Sequence, residues 1–316
     1  MTSQAQHAKS RKEAVDGILL LNKPPGMTSN RALQAVKRLL NAKKAGHTGS
    51  LDPAATGMLP LCFGEATKVC GYLLDANKTY RVTARLGTAT DTADADGKEI
   101  ATAALPEMSA DDWDVILQGF VGESMQVPPM YSALKKDGKR LYELARKGET
   151  VERESRPITV HEIRLLEFAG SRLVFRVTCS KGTYVRTLVE DMARRAGTVA
   201  HTARLHRESV GHFHAEDMLD LAAVESLAED GQMALREMLL APDVALMEFP
   251  PVSLDESAAA RFSGGQAVTA TEKSRTGLAR VYGAGQRFLG VGEFAGNGKL
   301  APRRVFLTPL KNPLDI

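Results

Sequence analysis

Cysteine is scarce in this chain: three in 316 residues, Cys62, Cys70 and Cys179. The number is odd and no two form a CxxC pair. That excludes a disulfide framework and a zinc ribbon, and it fits a reducing cytosol. Each cysteine reads as a small apolar residue rather than a reactive thiol. Long apolar runs are also missing. Ile18 to Leu21 ends at Asn22 and Lys23, far short of the ~20 residues that cross a bilayer. The opening MTSQAQHAKSRKEA has no apolar segment, which excludes a secretory signal, and residues 1–14 are expected to be disordered. Internal repeats and low-complexity tracts are absent. The net charge of +3 is too small to point to a partner.

Charge is nevertheless unevenly spread. Residues 1–60 carry nine Lys or Arg against three acids, and residues 216–243 carry eight acids against one Arg. Such asymmetry suits a polyanion on one face, although ordinary solvated surfaces give the same count. The length suggests two domains.

Periodicity places the elements. Gly17 to Leu21 reads as a short buried strand, followed by a Lys-Pro-Pro-Gly turn. Ser29 is then positioned to cap a helix reaching about Leu40, with Leu33, Val36 and Leu40 on one face. KTYRVTARLG, 78–87, alternates with Tyr80, Val82, Ala84 and Leu86 on one side. Ser109 and Asp112 predict a capping box ahead of Trp113, Ile116, Leu117 and Phe120. Residues 127–156 open on two prolines and are dense in Lys and Arg, which predicts a basic surface excursion. Leu173 to Cys179 alternates again and runs into SKGTYVRTL, where period 2 changes to 3.6. Lys181, Gly182, Tyr184 and Arg186 therefore stand at a strand-to-helix corner. After an acidic helical stretch, Pro250-Pro251 marks a boundary. Beyond it the texture is β, with a hairpin signal at Asn297-Gly298.

The segment most suited to chemistry is GHTGSLDPAATG, 46–57. It holds one carboxylate, Asp52, between Leu51 and Pro53, with Gly46, Gly49 and Gly57 around it. Glycine allows unusual backbone shapes and proline stiffens its surroundings. A positioned Asp with an arginine beside it can serve as a nucleophile; an ordinary Asp-Pro turn has the same local sequence.

Four segments stand in order: GILLLNKPPGMTSN (17–30), GHTGSLDPAATG (46–57), KTYRVTARLG (78–87) and CSKGTYVRTL (179–188). Together they resemble the bacterial tRNA pseudouridine-55 synthase family. The C-terminal GLARV, FLGVGE and LAPRRVF resemble the PUA RNA-binding module of those enzymes. The resemblance implies an α+β fold with a mixed, largely antiparallel sheet flanked by helices. It implies a catalytic domain over 15–249, with a thumb-like RNA-binding insertion at about 127–156, and a small β, PUA-like domain over 250–316. It further implies isomerisation of one uridine in the T loop of tRNA, in the cytoplasm, by a monomer needing no protein partner, cofactor or metal.

By the same resemblance, Asp52 is the catalytic aspartate, Tyr80 the ring stacked on the base and Arg186 the partner of the aspartate. His47 occupies the place vacated by the flipped nucleotide, Tyr184 and Leu188 line the pocket, and Lys23 supports it. Lys135, Lys136 and Arg140 in the insertion, with Arg303 and Arg304 near the C-terminus, are candidate RNA contacts.

The residue types suit that chemistry. A stacked base must be extruded before its glycosidic bond can be reached, at a cost of a few kcal/mol. An aromatic platform returns about 1–3 kcal/mol per base. Enclosure raises a carboxylate's pKa, and a guanidinium nearby lowers it. Other readings remain for each residue. Tyr80 also fits the first core position of its strand, Arg186 has the spacing to pair with Glu190, and His47 fits a structural hydrogen bond. Arg303 and Arg304 also fit ordinary surface charge. Direct attack by Asp52 on C1′ and a glycal-type path both fit the sequence.

Overall fold

The computed structural model describes residues 12–270, 276–296 and 298–307. The strands are β1 (Gly17–Lys23), β2 (Ala45–His47), β3 (Thr56–Phe63), β4 (Lys78–Leu86), β5 (Thr88–Thr90), β6 (Glu99–Thr102), β7 (Gly122–Gln126), β8 (Lys135–Lys136) and β9 (Lys139–Arg140). They continue as β10 (Arg156–Ala169), β11 (Arg172–Cys179), β12 (Ala200–Val210), β13 (Leu219–Asp220), β14 (Pro251–Ser253), β15 (Val268–Thr269), β16 (Thr276–Tyr282), β17 (Phe288–Ala295) and β18 (Lys299–Val305). The helices are α1 (Ser29–Leu39), α2 (Cys70–Asp75), α3 (Ala110–Gln118), α4 (Leu141–Ala145), α5 (Val185–Arg195), α6 (Leu221–Glu229), α7 (Gln232–Glu237) and α8 (Glu256–Ser263).

A nine-stranded sheet in the order β13-β1-β3-β12-β4-β11-β10-β7, with β2 attached to β3, forms the frame. Only the β1–β13 and β3–β12 pairings are parallel. The mixed, largely antiparallel α+β architecture is therefore the observed one. A second sheet, β14-β16-β17-β18-β15, follows Pro250. The predicted hairpin joins β17 to β18; Asn297 itself lies outside the described residues.

The alternation in β4 is visible in its packing. Val82, Ala84 and Leu86 are buried against Phe175 and Val177 of β11 and against Leu188, Val189 and Met192 of α5. Each such large aliphatic side chain contributes about 1.5–3 kcal/mol on leaving water, so α5 is held to one face of the sheet. The capping box at Ser109 and Asp112 is formed, and Trp113 and Leu117 of α3 are fully buried in the same core.

Two sequence expectations are corrected. Thr28, not Ser29, caps α1, its side chain accepting from Arg31 N at 3.1 Å. Ser29 is buried within the helix and bonds elsewhere. Of the segment expected to be disordered, residues 1–11 lie outside the described residues. Glu13, however, bridges to Ala42 and its carboxylate meets Arg236 at 2.6 Å, which ties this end of the segment to the fold.

The Pro250-Pro251 boundary separates two sheets, and the second has its own buried cluster that includes Val252, Phe262, Val281 and Leu300, but a further cluster crosses the boundary. Tyr282, Phe288 and Val291 of the second sheet, with Phe306 just after it, share a buried cluster with Ile18, Leu20, Met58 and Cys62 of the first. Lys68 Nζ donates to Val305 O at 2.7 Å across the same contact.

Candidate active site

Asp52 stands in the loop between β2 and β3, and the 23–29 turn holds that loop in place. Leu51 N donates to Ser29 Oγ at 2.8 Å, and Ser29 Oγ donates to Leu51 O at 3.1 Å. Gly26 N donates to Pro53 O at 3.0 Å. Lys23 Nζ donates to Pro24 O, Met27 O and Pro53 O at 2.8, 2.8 and 3.2 Å. Lys23 is fully buried, and burial pulls its pKa down to about 8. It therefore supports the loop from beneath. Gly57 closes the other side at φ +100°, where a Cβ would lie 2.2 Å from Arg207 O; only glycine lets β3 run this close to β12.

Arg186, in the first turn of α5, meets this loop. Its Nε lies 3.0 Å from Asp52 Oδ2 and its Nη1 lies 3.7 Å from Asp94 Oδ2. Nη1 also donates to Thr92 O, and Nη2 to Tyr131 O, both at 2.7 Å. The guanidinium is thus immobilised by three separate segments. Its side chain is 6% exposed, whereas that of Asp52 is 44% exposed. No ion pair between Arg186 and Glu190 forms among the described residues.

Asp52 opens onto two connected depressions. One, of about 340 Å³, is lined by Leu51, Tyr80, Tyr184, Leu205 and Arg207, among others. The other, of about 530 Å³, runs over Pro25, Arg81, Arg172, Arg204 and His206. The enclosing walls push the Asp52 carboxyl above its ordinary range. Arg186 opposes the rise, Asp94 adds to it and Lys23 works against it. Both effects expected from the sequence are present, and burial is the larger.

The remaining expected positions divide. Tyr80 is half-buried at the cleft wall and its hydroxyl meets the Arg207 guanidinium. Tyr184 is held by Gln126, whose Nε2 donates to Tyr184 O at 3.1 Å and whose Oε1 accepts from Tyr184 N at 2.8 Å. Leu188 is 2% exposed in the core and does not line the cleft; one turn along α5, the helix has already passed behind the sheet. Leu205 takes the place at the wall that had been expected of Leu188.

His47 is half-buried on β2, outside both linings. Burial, then Arg207, lowers its pKa, and its buried Nδ1 has no hydrogen-bond partner. His201 and His206, both on β12, bond separately to Thr88 O and Thr56 Oγ1 at 2.8 Å each.

Lys135 and Lys136 line a small hollow of about 220 Å³ in the basic excursion, with Glu152, Arg153 and Arg156. Arg140 is exposed beside Tyr142, donating to its hydroxyl at 3.0 Å. Arg303 pairs with Glu293, and Arg304 is exposed.

Three residues near the carboxylate escaped the sequence reading. Asp94 sits in an acid-rich turn, 91–96, that looks like any solvated loop. Leu205 and Arg207 lie on β12, whose role in walling the cleft follows from its pairing with β4. Arg207 is 1% exposed, donating through Nε to Met58 O at 2.6 Å and through Nη2 to Gly49 O at 3.0 Å.

Comparison with known proteins identifies the family. Residues 37–185 match the TruB family pseudouridylate synthase N-terminal domain, 186–247 the tRNA pseudouridylate synthase B C-terminal domain, and 250–306 the pseudouridine synthase II TruB C-terminal domain. The chain is 48% identical to a tRNA pseudouridine synthase B of Nitrosococcus oceani, over 93% of this chain and 96% of that one. It is 50% identical to one of Aromatoleum aromaticum, over 95% and 96%. Its fold is similar to a chain in the crystal structure of a Cbf5–Nop10–Gar1 complex, with a TM-score of 0.72 and 26% identity over 93% of this chain and 85% of that one. Relatives that are 48–50% identical along nearly the whole chain, together with the matching family domains, make the chain a member of the TruB family of pseudouridylate synthases.

Proposed function

We propose that this protein converts uridine to pseudouridine at position 55 in the T loop of tRNA. The observation that carries this reading is the Asp52–Arg186 pair, 3.0 Å apart where the two depressions meet. The extruded uracil enters the cleft between Tyr80 and Tyr184, its face on the Tyr80 ring. Asp52 acts at the sugar carbon from below the base. The N1–C1′ bond breaks, the uracil turns, and a C5–C1′ bond forms, with the C5 proton released to solvent and N1 taking up a proton in its place. Arg186 keeps the carboxylate aimed and ionised, a task for a cation that does not deprotonate.

The 127–156 excursion grips the RNA through Lys135, Lys136 and Arg140, and the PUA-like unit over 250–316 adds contacts through Arg303 and Arg304. The relatives' names as tRNA enzymes support the choice of substrate. The protein acts as a single subunit in the cytoplasm. Among the described residues no helix is long and apolar enough to cross a membrane.

The test is tritium release from C5-labelled uridine in a tRNA transcript, followed by mapping of the modified nucleotide. Release confined to position 55, and lost in Asp52→Asn while tRNA still binds, is the expected result. Modification at another site, or a normal rate in Asp52→Asn, overturns it.

A further inference from the structure

The face of the central sheet turned away from α5 carries a concentration of cationic residues that the proposed chemistry does not use. Strand register places Arg176 of β11 opposite Arg81 of β4, and Arg81 opposite His206 of β12. Arg164 of β10 continues that row beside Arg176. Four residues along β4, a second row joins Arg172, Arg85 and His201. Between the rows, Arg204 stands opposite Thr83.

Like charges on paired strands repel and lower stability, so such a face needs compensation. Two members have it: Arg176 pairs with Glu208, and Arg172 with Glu167, both at 2.7 Å. Arg81, Arg85 and Arg204 are exposed and have no acidic partner within 4 Å among the described residues. Arg81 and Arg204 line the larger depression, whose inner end is Asp52 and Arg186. Arg81 and Arg204 are diagonal neighbours across β4 and β12, close enough to meet neighbouring phosphates of one strand.

We propose that this face is a phosphate platform, on which Arg81 and Arg204 receive the sugar–phosphate chain flanking the nucleotide held at Asp52. The ligand is single-stranded RNA backbone, and its phosphates supply the negative charge that the two arginines lack. A cation aimed at phosphate gives affinity and register without reading sequence. The platform fixes the direction in which the RNA leaves the cleft, over β4 and β12 toward β11. This inference rests on the proposed tRNA reading and assigns part of the grip to the sheet itself, separate from the 127–156 excursion and the C-terminal unit.

The experiment measures equilibrium binding of a tRNA transcript across a salt series, for the wild-type protein and for Arg81→Gln, Arg204→Gln and the double variant. Neutralising one phosphate contact reduces the slope of log K against log salt by about 0.7–0.9. The expected result is weaker binding in each single variant, about tenfold or more in the double variant at moderate salt, and a double-variant slope shallower by about 1.4–1.8. Arg194→Gln, on the helix behind the sheet, leaves the slope unchanged. Both substituted side chains are exposed, so thermal unfolding should show an intact fold. Unchanged affinity and slope in the double variant overturn the platform. A wild-type protein that converts no uridine in tRNA overturns the proposed substrate instead, and the two failures are read separately.

Discussion

The cations around Asp52 and those on the open sheet face are held in opposite ways. Arg186, Arg207 and Lys23 are buried, and backbone carbonyls take up their donors. Arg81, Arg85 and Arg204 stand in solvent, and among the described residues none has an acidic partner within 4 Å. A fixed charge in a dry setting acts strongly on its neighbours and needs no rearrangement when a reaction begins. A solvated charge acts weakly on the fold and remains free to meet a phosphate. The difference separates residues built to position chemistry from residues available to bind.

The sharpest way to break that distinction is at the carboxylate. Asp52→Asn should lower single-turnover conversion on the order of 10⁴-fold or more, as removal of a reacting group does elsewhere, with tRNA affinity retained. A smaller loss than at Arg186 would move the chemistry away from Asp52. Arg186→Lys comes next, with a loss of about 10²–10³-fold, because an ammonium cannot reach Asp52, Thr92 O and Tyr131 O together. Near-normal activity there would mean that charge alone suffices.

Asp94→Asn sharpens the electrostatic side. Asp94 raises the Asp52 pKa, so removing its charge should shift the acid limb of the kcat/KM profile to lower pH. A shift to higher pH would show that Asp94 acts chiefly through Arg186.

Lys23 and Lys78 test burial itself. Both have folded pKa values near 8, against 10.5 ordinarily. Between about pH 8 and 10.5 the unfolded chain binds more protons than the folded one, so their contribution to stability rises with pH across that window. Urea midpoints should show this rise, smaller in Lys23→Met. The smallest effect is expected at Arg303, where the exposed pair with Glu293 predicts that Arg303→Gln changes stability by less than about 0.5 kcal/mol.

Much of this was legible beforehand because it is local. The alternation of β4, the capping box at Ser109 and the strand-to-helix corner before Arg186 depend on neighbours within a few residues. The meeting of positions 52 and 186 was expected only through likeness to a family, since nothing in periodicity links residues so far apart. Leu188 shows where the likeness misleads: the resemblance implied a pocket position, but the side chain packs in the core between α5 and the sheet. Leu205 and Asp94 had no local signal at all.

The amino-acid order by itself determined the elements, the glycine-framed loop around Asp52 and the basic character of several segments, because those follow from backbone preference and side-chain period. Only the tertiary structure decided that burial outweighs Arg186 at the carboxylate, that Thr92, Asp94 and Tyr131 hold the guanidinium, and that arginines from four strands share one face. Desolvation and cross-strand register arise from groups distant in the chain, and they exist only once the sheet has assembled.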